Sequence, residues 1–176
     1  MKSNFAGTPK IISWPMTERF KTFLPFVFQH ECVFKKGHWG DYNYVVAEEV
    51  EGDDGGVTKW GCDYREFSEA PFNLTKDDIR NLTMEGATDL YWRNWERYHV
   101  ETFNYPLGEV WFNCKIVSGV KQANPILYRT NSNAKLFLED QRRVNSLIVK
   151  AHPYDQKFLA GWNARIDDLA RFVHIS

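Results

Sequence analysis

Apolar positions change period as the chain is followed from its N-terminus. From Met16 to Glu31 they recur at helical spacing, and Met16, Phe20, Phe23, Leu24 and Val27 form one stripe. One more turn brings that stripe to Glu31, so the pattern predicts a helix ending with a carboxyl group on its apolar side. Residues 1–15 read as an extended arm. Ser13 and Pro15 suit a helix entry, while Pro25 falls inside the helix and removes one of its backbone bonds. Between residues 33 and 70 the period shortens. Residues 42–46 (Tyr-Asn-Tyr-Val-Val) and 57–61 (Val-Thr-Lys-Trp-Gly) are strand-like, and the run Glu51-Gly52-Asp53-Asp54-Gly55-Gly56 between them is a strong turn signal. The segment predicts a small β-hairpin lobe.

From Thr75 onward the helical period returns. Thr75 and Asp78 form a capping box with Asp in place of Glu. Thr83 caps a helix with apolar positions Met84, Ala87, Leu90, Tyr91, Trp95 and Tyr98. Pro106 opens a helix over 107–117 that closes near Gly119, and Pro125 is expected to interrupt the segment after it. Ser132 or Asn133 caps a helix over 134–150, broken by Pro153. Asp155 caps the last, which carries Phe158, Leu159, Trp162, Ile166, Leu169 and Val173 along one side. No internal repeat is visible. The elements add up to a mainly α fold, a helical bundle with one β excursion.

Composition narrows the function classes. At 176 residues the chain fits one domain with a sizeable core. The formal net charge of −1 leaves no basic field for nucleic acid. Cys32, Cys62 and Cys114 are odd in number and widely spaced, which excludes a full disulfide framework and favours reduced, partly buried thiols. No apolar run reaches membrane-spanning length, and residues 1–15 lack a signal-peptide core. The expectation is a soluble chain made in the cytoplasm, monomeric, with no membrane insertion. His30, Glu31, His38 and Asp41 match no standard zinc spacing, so no metal and no cofactor are expected. A Cys32–His30 thiol pair is disfavoured, because adjacent positions on a helix end point apart.

Several motifs in order resemble glycoside hydrolase family 108, the phage and bacterial N-acetylmuramidases that cut peptidoglycan. They are His30-Glu31-Cys32-Val33-Phe34, then Asp53-Asp54-Gly55-Gly56-Val57-Thr58-Lys59-Trp60-Gly61, then Leu90-Tyr91-Trp92-Arg93, then Phe158-Leu159-Ala160-Gly161-Trp162-Asn163-Ala164-Arg165. The resemblance covers most of the chain from Phe20 to Leu169. It implies a lysozyme-like α+β fold with the hairpin lobe near a cleft. Residues 16–176 would form the single domain, with a catalytic half over 16–105 and a peptidoglycan-binding-like half over 106–176. It also implies Glu31 as the catalytic acid and peptidoglycan glycan strands as the partner. The chain departs from the family pattern at Cys32 and Val33, which stand where the family has two glycines, and at Asn113, where it has an acid. These departures support a different reading, a wall-binding or virion structural protein that keeps the fold without turnover.

The chemistry of Glu31 suits the enzyme reading. A carboxyl group held against apolar side chains loses hydration, which favours its proton-bearing form. Glycoside cleavage needs one carboxyl to protonate the leaving oxygen and a second group to attack the sugar or activate water. Asp54 and Thr58 are the candidates for the second group, and both residue types serve equally as turn and strand residues. A single Glu with a positioned water implies an inverting hydrolase. Tyr44, Trp60, Gly61 and Tyr64 are candidate substrate contacts, since a flat ring matches the C–H face of a pyranose. Hairpin packing explains the same rings.

Overall fold

The structure of the protein, a computed structural model, describes residues 15–49 and 56–175. The expected arm, the Ser13 part of the helix entry, and Asp53 and Asp54 of the turn signal lie outside the described residues. The chain divides into two compact units, Met1–Asn94 and Trp95–Ser176.

The first unit is built on α1 (Glu18–Glu31). Thr17 caps it, its side chain accepting from Phe20 N–H at 3.2 Å. Phe20, Phe23, Leu24, Phe26, Val27 and Phe28 are buried, so the apolar face is wider than the expected stripe. Pro25 stays on the exposed side. Three short antiparallel strands come next, in the order β1 (Glu48–Glu49), β2 (Val57–Lys59), β3 (Cys62–Asp63). The strand expected over 42–46 is a 3-10 turn, Tyr42–Tyr44, instead. The Asp41 carboxylate accepts from Asn43 N–H and holds the turn, a local bond that competes with strand pairing. Only Val45 keeps a bridge, to Phe34. Beyond β3 lie α2 (Tyr64–Phe67), α3 (Lys76–Arg80) and α4 (Met84–Arg97). The Thr75–Asp78 capping box forms as the spacing predicts, and Thr83 Oγ1 accepts from Gly86 N–H at 3.1 Å to start α4. Phe20 of α1 meets Trp92 of α4 with ring centroids 5.0 Å apart.

The second unit is helical: α5 (Leu107–Ser118), α6 (Val120–Arg129), α7 (Ala134–Ala151) and α8 (Gln156–Phe172). Gly119, at φ +78°, makes the break between α5 and α6. Pro125 does not interrupt α6 but lies within it. The flanking Ala123 and Ile126 are fully buried, and that packing outweighs the lost backbone bond. Asn133 caps α7 by accepting from Leu136 N–H. Asp155 makes no side-chain cap for α8, because residues 153–155 already turn as a 3-10 helix that leads into it. Trp95 and Phe112 pack edge to face at 5.0 Å in this unit's core.

Asp140 on α7 accepts from Arg129 and Arg143 at 2.6 and 2.7 Å. Burial alone would raise its carboxyl, but the two guanidinium groups outweigh burial and hold it below the usual carboxylate range. The stability this contributes is complete above the unfolded value, about 3.9, and is lost as pH falls through the lower folded value. With both arginines half-exposed it amounts to about 0.5–1 kcal/mol. Asp140→Asn should therefore lower the urea midpoint at pH 7 and flatten its decline toward pH 2.

Candidate active site

Glu31 is the last residue of α1. The chain leaves the helix at Cys32 with φ −81° and ψ 133°, and Cys32 N–H closes the helix on Phe28 C=O at 3.1 Å. This is extended backbone that any residue adopts. Val33 is not among the residues with positive φ either, so the two departures from glycine impose no backbone strain here. Residues 33–35 pair instead with 44–46: Val46 N–H donates to Val33 C=O at 3.0 Å, and Lys35 N–H to Tyr44 C=O at 2.9 Å.

The side chain of Glu31 is half-buried, with Oε1 closed off from solvent. Its wall is the turn between β2 and β3. The strands pair through Lys59 and Cys62, which leaves Trp60 and Gly61 as a two-residue loop. Both have left-handed backbone, φ +58° and +73°, as the tight hairpin turn requires. Glycine accepts that conformation freely, whereas Trp60 must be held in it. Its indole N–H donates to Leu82 C=O at 3.0 Å, and Tyr91 O–H donates to its carbonyl at 3.0 Å. Gly61 in turn lies directly against Glu31. A β-carbon there would overlap Glu31 Cβ and come within 2.5 Å of Tyr91 Oη.

Aromatic rings continue this wall. Phe28 meets Trp60 at 5.5 Å and Tyr91 at 5.9 Å. Tyr42 stacks on Trp60 at 6.1 Å, Phe34 lies 5.6 Å from Tyr42, and Trp39 lies 5.4 Å from Phe34. The series runs from the fully packed Trp60, 5% exposed, to Trp39, 82% exposed.

The expected site residues separate on this geometry. Glu31 and Gly61 are in contact. Trp60 is a correction: its buried ring supports the turn from behind and offers no face to a sugar. Thr58 is half-buried in β2, opposite Glu48 and Asp63 in the pairing. Tyr44 is partly exposed, but one face of its ring stacks on His38 at 3.7 Å. Tyr64 is half-buried, with Lys76 Nζ 5.8 Å from its ring centre. Asp54 lies outside the described residues. In the sequence Tyr91 stands on the apolar stripe of its helix and in the Leu90–Arg93 motif, and Trp39 belongs to no stripe or motif. The flanking glycines of Gly37-His38-Trp39-Gly40, with φ +85° and +81°, were the available signal that this ring sits on a turn rather than a packing stripe.

None of the three cysteines forms a disulfide, and all three are buried. Burial, and after it the charge of Glu31, pushes the Cys32 thiol up to about 12. It stays protonated at neutral pH and cannot serve as a nucleophile. Iodoacetamide at pH 8 should leave Cys32 unmodified in the native protein and label it once urea unfolds the chain, as peptide mass spectrometry would read. Among the described residues no three of His, Cys, Asp and Glu converge on a metal position. Nor is any described helix long and apolar enough to cross a membrane.

Comparison with known proteins places the fold. No protein-family model matches the sequence, and no curated protein does. Among solved structures, Brucella abortus SagA is similar, with a TM-score of 0.66 at 18% identity over 90% of this chain and 95% of that one. At this identity the likeness is one of fold.

Proposed function

We propose that the protein is a peptidoglycan hydrolase of the family 108 type. It cleaves the glycosidic bond between N-acetylmuramic acid and N-acetylglucosamine, with Glu31 as general acid. The observation that carries this reading is the placement of Glu31: a carboxyl at a helix end, one oxygen closed to solvent, seated against a glycine turn that admits no larger residue. That is how a proton donor is kept in one position. The ordered motifs supply the substrate class, and the mostly helical fold with its small antiparallel sheet suits it.

In the proposed reaction Glu31 gives its proton to the bridging oxygen as that oxygen leaves the anomeric carbon. A water adds its oxygen to that carbon and surrenders a proton to a second group. Asp54 is our candidate for that group, with Thr58 holding the water, and the reaction then inverts the anomeric centre. A base that works through water stands about 6.5–9.5 Å from the acid, against about 5–5.5 Å for a covalent nucleophile. Gly61 and the aromatic series ending at Trp39 would border the glycan, and Tyr44 and Tyr64 would meet it from the same lobe. No cofactor is needed for this chemistry. To act on peptidoglycan the chain must reach the wall by release or export.

Digestion of purified peptidoglycan followed by borohydride reduction tests the reading. New ends should appear as muramitol. Glucosaminitol would assign the other glycosidic bond, and new amino groups would assign an amidase. Wall sedimentation without any new ends would leave the non-catalytic wall-binding reading.

A further inference from the structure

The Trp60–Gly61 turn is held in a conformation that its first residue does not favour. Trp60 has φ +58°, where a bulky side chain crowds its own backbone. A glycine or an asparagine at this position would reach the same φ without help. Tryptophan is kept there by partners distant in sequence. Its indole N–H donates to Leu82 C=O at 3.0 Å, and the Tyr91 O–H on α4 donates to its carbonyl at 3.0 Å. Tyr91 is 2% exposed and Trp60 5%, so neither bond is readily exchanged for one to water.

The same hydroxyl borders Gly61. A β-carbon at Gly61 would lie 2.5 Å from Tyr91 Oη and 2.4 Å from Glu31 Cβ. Gly61 therefore lies against both the phenol and the acid. It carries no side chain that could absorb a displacement, so a shift of the turn passes directly to Glu31. Phe28 on α1, three residues before Glu31, meets the rings of Trp60 and Tyr91 at 5.5 and 5.9 Å. The end of α1, the β2–β3 turn and α4 thus converge where Glu31 leaves its helix.

Two roles fit a buried hydroxyl in this place. It can satisfy the Trp60 carbonyl and nothing more, in which case its loss weakens the fold alone. Or it can fix the turn that fixes the acid. The strain at Trp60 favours the second role. A carbonyl that needed only a partner could find one on an unstrained backbone. Here the bond maintains a costly conformation, and that conformation seats Gly61 against Glu31.

We infer that Tyr91 is a positioning residue for Glu31: its hydroxyl pins the Trp60–Gly61 turn, and the turn sets where the Glu31 carboxyl stands. Tyr91 acts through the turn and gives no proton in the reaction. Its consequence for turnover rests on the hydrolase reading, and its consequence for geometry does not.

Tyr91→Phe tests the role, because it deletes one oxygen and keeps the ring packing. Soluble glycan chains from sonicated peptidoglycan serve as substrate, with kcat and KM taken per folded molecule. kcat should fall about 10–100-fold, while KM stays within about twofold of wild type. Ile126→Val trims a fully buried residue of α6. It is the control for lost stability and should keep both constants. An unchanged kcat, a raised KM with kcat kept, or an equal loss of kcat in Ile126→Val would overturn the role. Trp60→Phe removes the other pin of the turn, the bond to Leu82, and should lower kcat in the same way. It decides by the same criteria should Tyr91→Phe not fold. A crystal structure of Tyr91→Phe reads the geometry without any cleavage. The turn should relax at Trp60, and the Glu31 carboxyl should move by about 1 Å or more. A turn and a carboxyl that both stay in place would overturn the role. Absence of cleavage by the wild type would count against the hydrolase reading and leave the positioning role to be decided by that structure.

Discussion

Gly61→Ala should be the most damaging single substitution in the first unit. The added methyl has no room, since it overlaps Glu31 Cβ and crowds Tyr91 Oη. Neither neighbour can step aside cheaply. Glu31 Cβ is fixed to the helix backbone, and Tyr91 Oη is tied to the Trp60 carbonyl at 3.0 Å. Alanine would also have to adopt φ near +73°. Overpacking costs about 1–3 kcal/mol and the left-handed conformation about 1–2 kcal/mol. Urea unfolding should therefore show a loss of about 2–5 kcal/mol. Wall clearing should fall at least about 100-fold in the population that stays folded, because a displaced proton donor loses roughly that much per ångström. Gly119→Ala is the control. Gly119 has φ +78° and ψ 166° but nothing within 4 Å of an added β-carbon, so only the conformational cost of about 1–3 kcal/mol applies and clearing should be unaffected.

Glu31→Gln should remove turnover while leaving the fold in place. Glutamine keeps the length and shape of the side chain, so its packing against the Trp60–Gly61 turn survives, and unfolding stability should move by no more than about 1 kcal/mol. What disappears is a transferable proton. A positioned general acid contributes about 10²–10⁴-fold to rate, and the leaving sugar oxygen is a poor leaving group without it. Clearing and the release of muramitol ends should both fall by that factor. Wall binding should persist, because the glycan contacts proposed here lie on other residues.

These effects show which features were legible in the sequence. The apolar stripe ending at Glu31 fixes the helix end and the placement of its carboxyl, because both depend on local periodicity. The capping residues Thr75, Thr83 and Asn133 are legible for the same reason: each satisfies backbone groups within a few residues of itself. The turn at Trp60–Gly61 is not. Trp with positive φ is rare, and only distant partners, Leu82 C=O and Tyr91 O–H, keep it there. Read locally, Val-Thr-Lys-Trp-Gly is a strand with Trp60 as a sugar platform, whereas in the fold that ring is a buried support. The 3-10 turn at Tyr42–Tyr44 is hidden because one Asp41 carboxylate bond outweighs the β-propensity of its aromatic residues. Asn113 stands out in the sequence only as a departure from a family pattern. Its bond to Arg165, 52 positions away, is a tertiary fact that no spacing reveals.

A turbidity assay on purified cell walls, run with wild type and Glu31→Gln at equal folded concentration, reaches the central claim most directly. The wild type should clear the suspension, and the variant should sediment with the walls and leave them turbid. Equal clearing by both would remove Glu31 from the chemistry. Clearing by neither, with both proteins folded, would mean that the chain does not cut the wall.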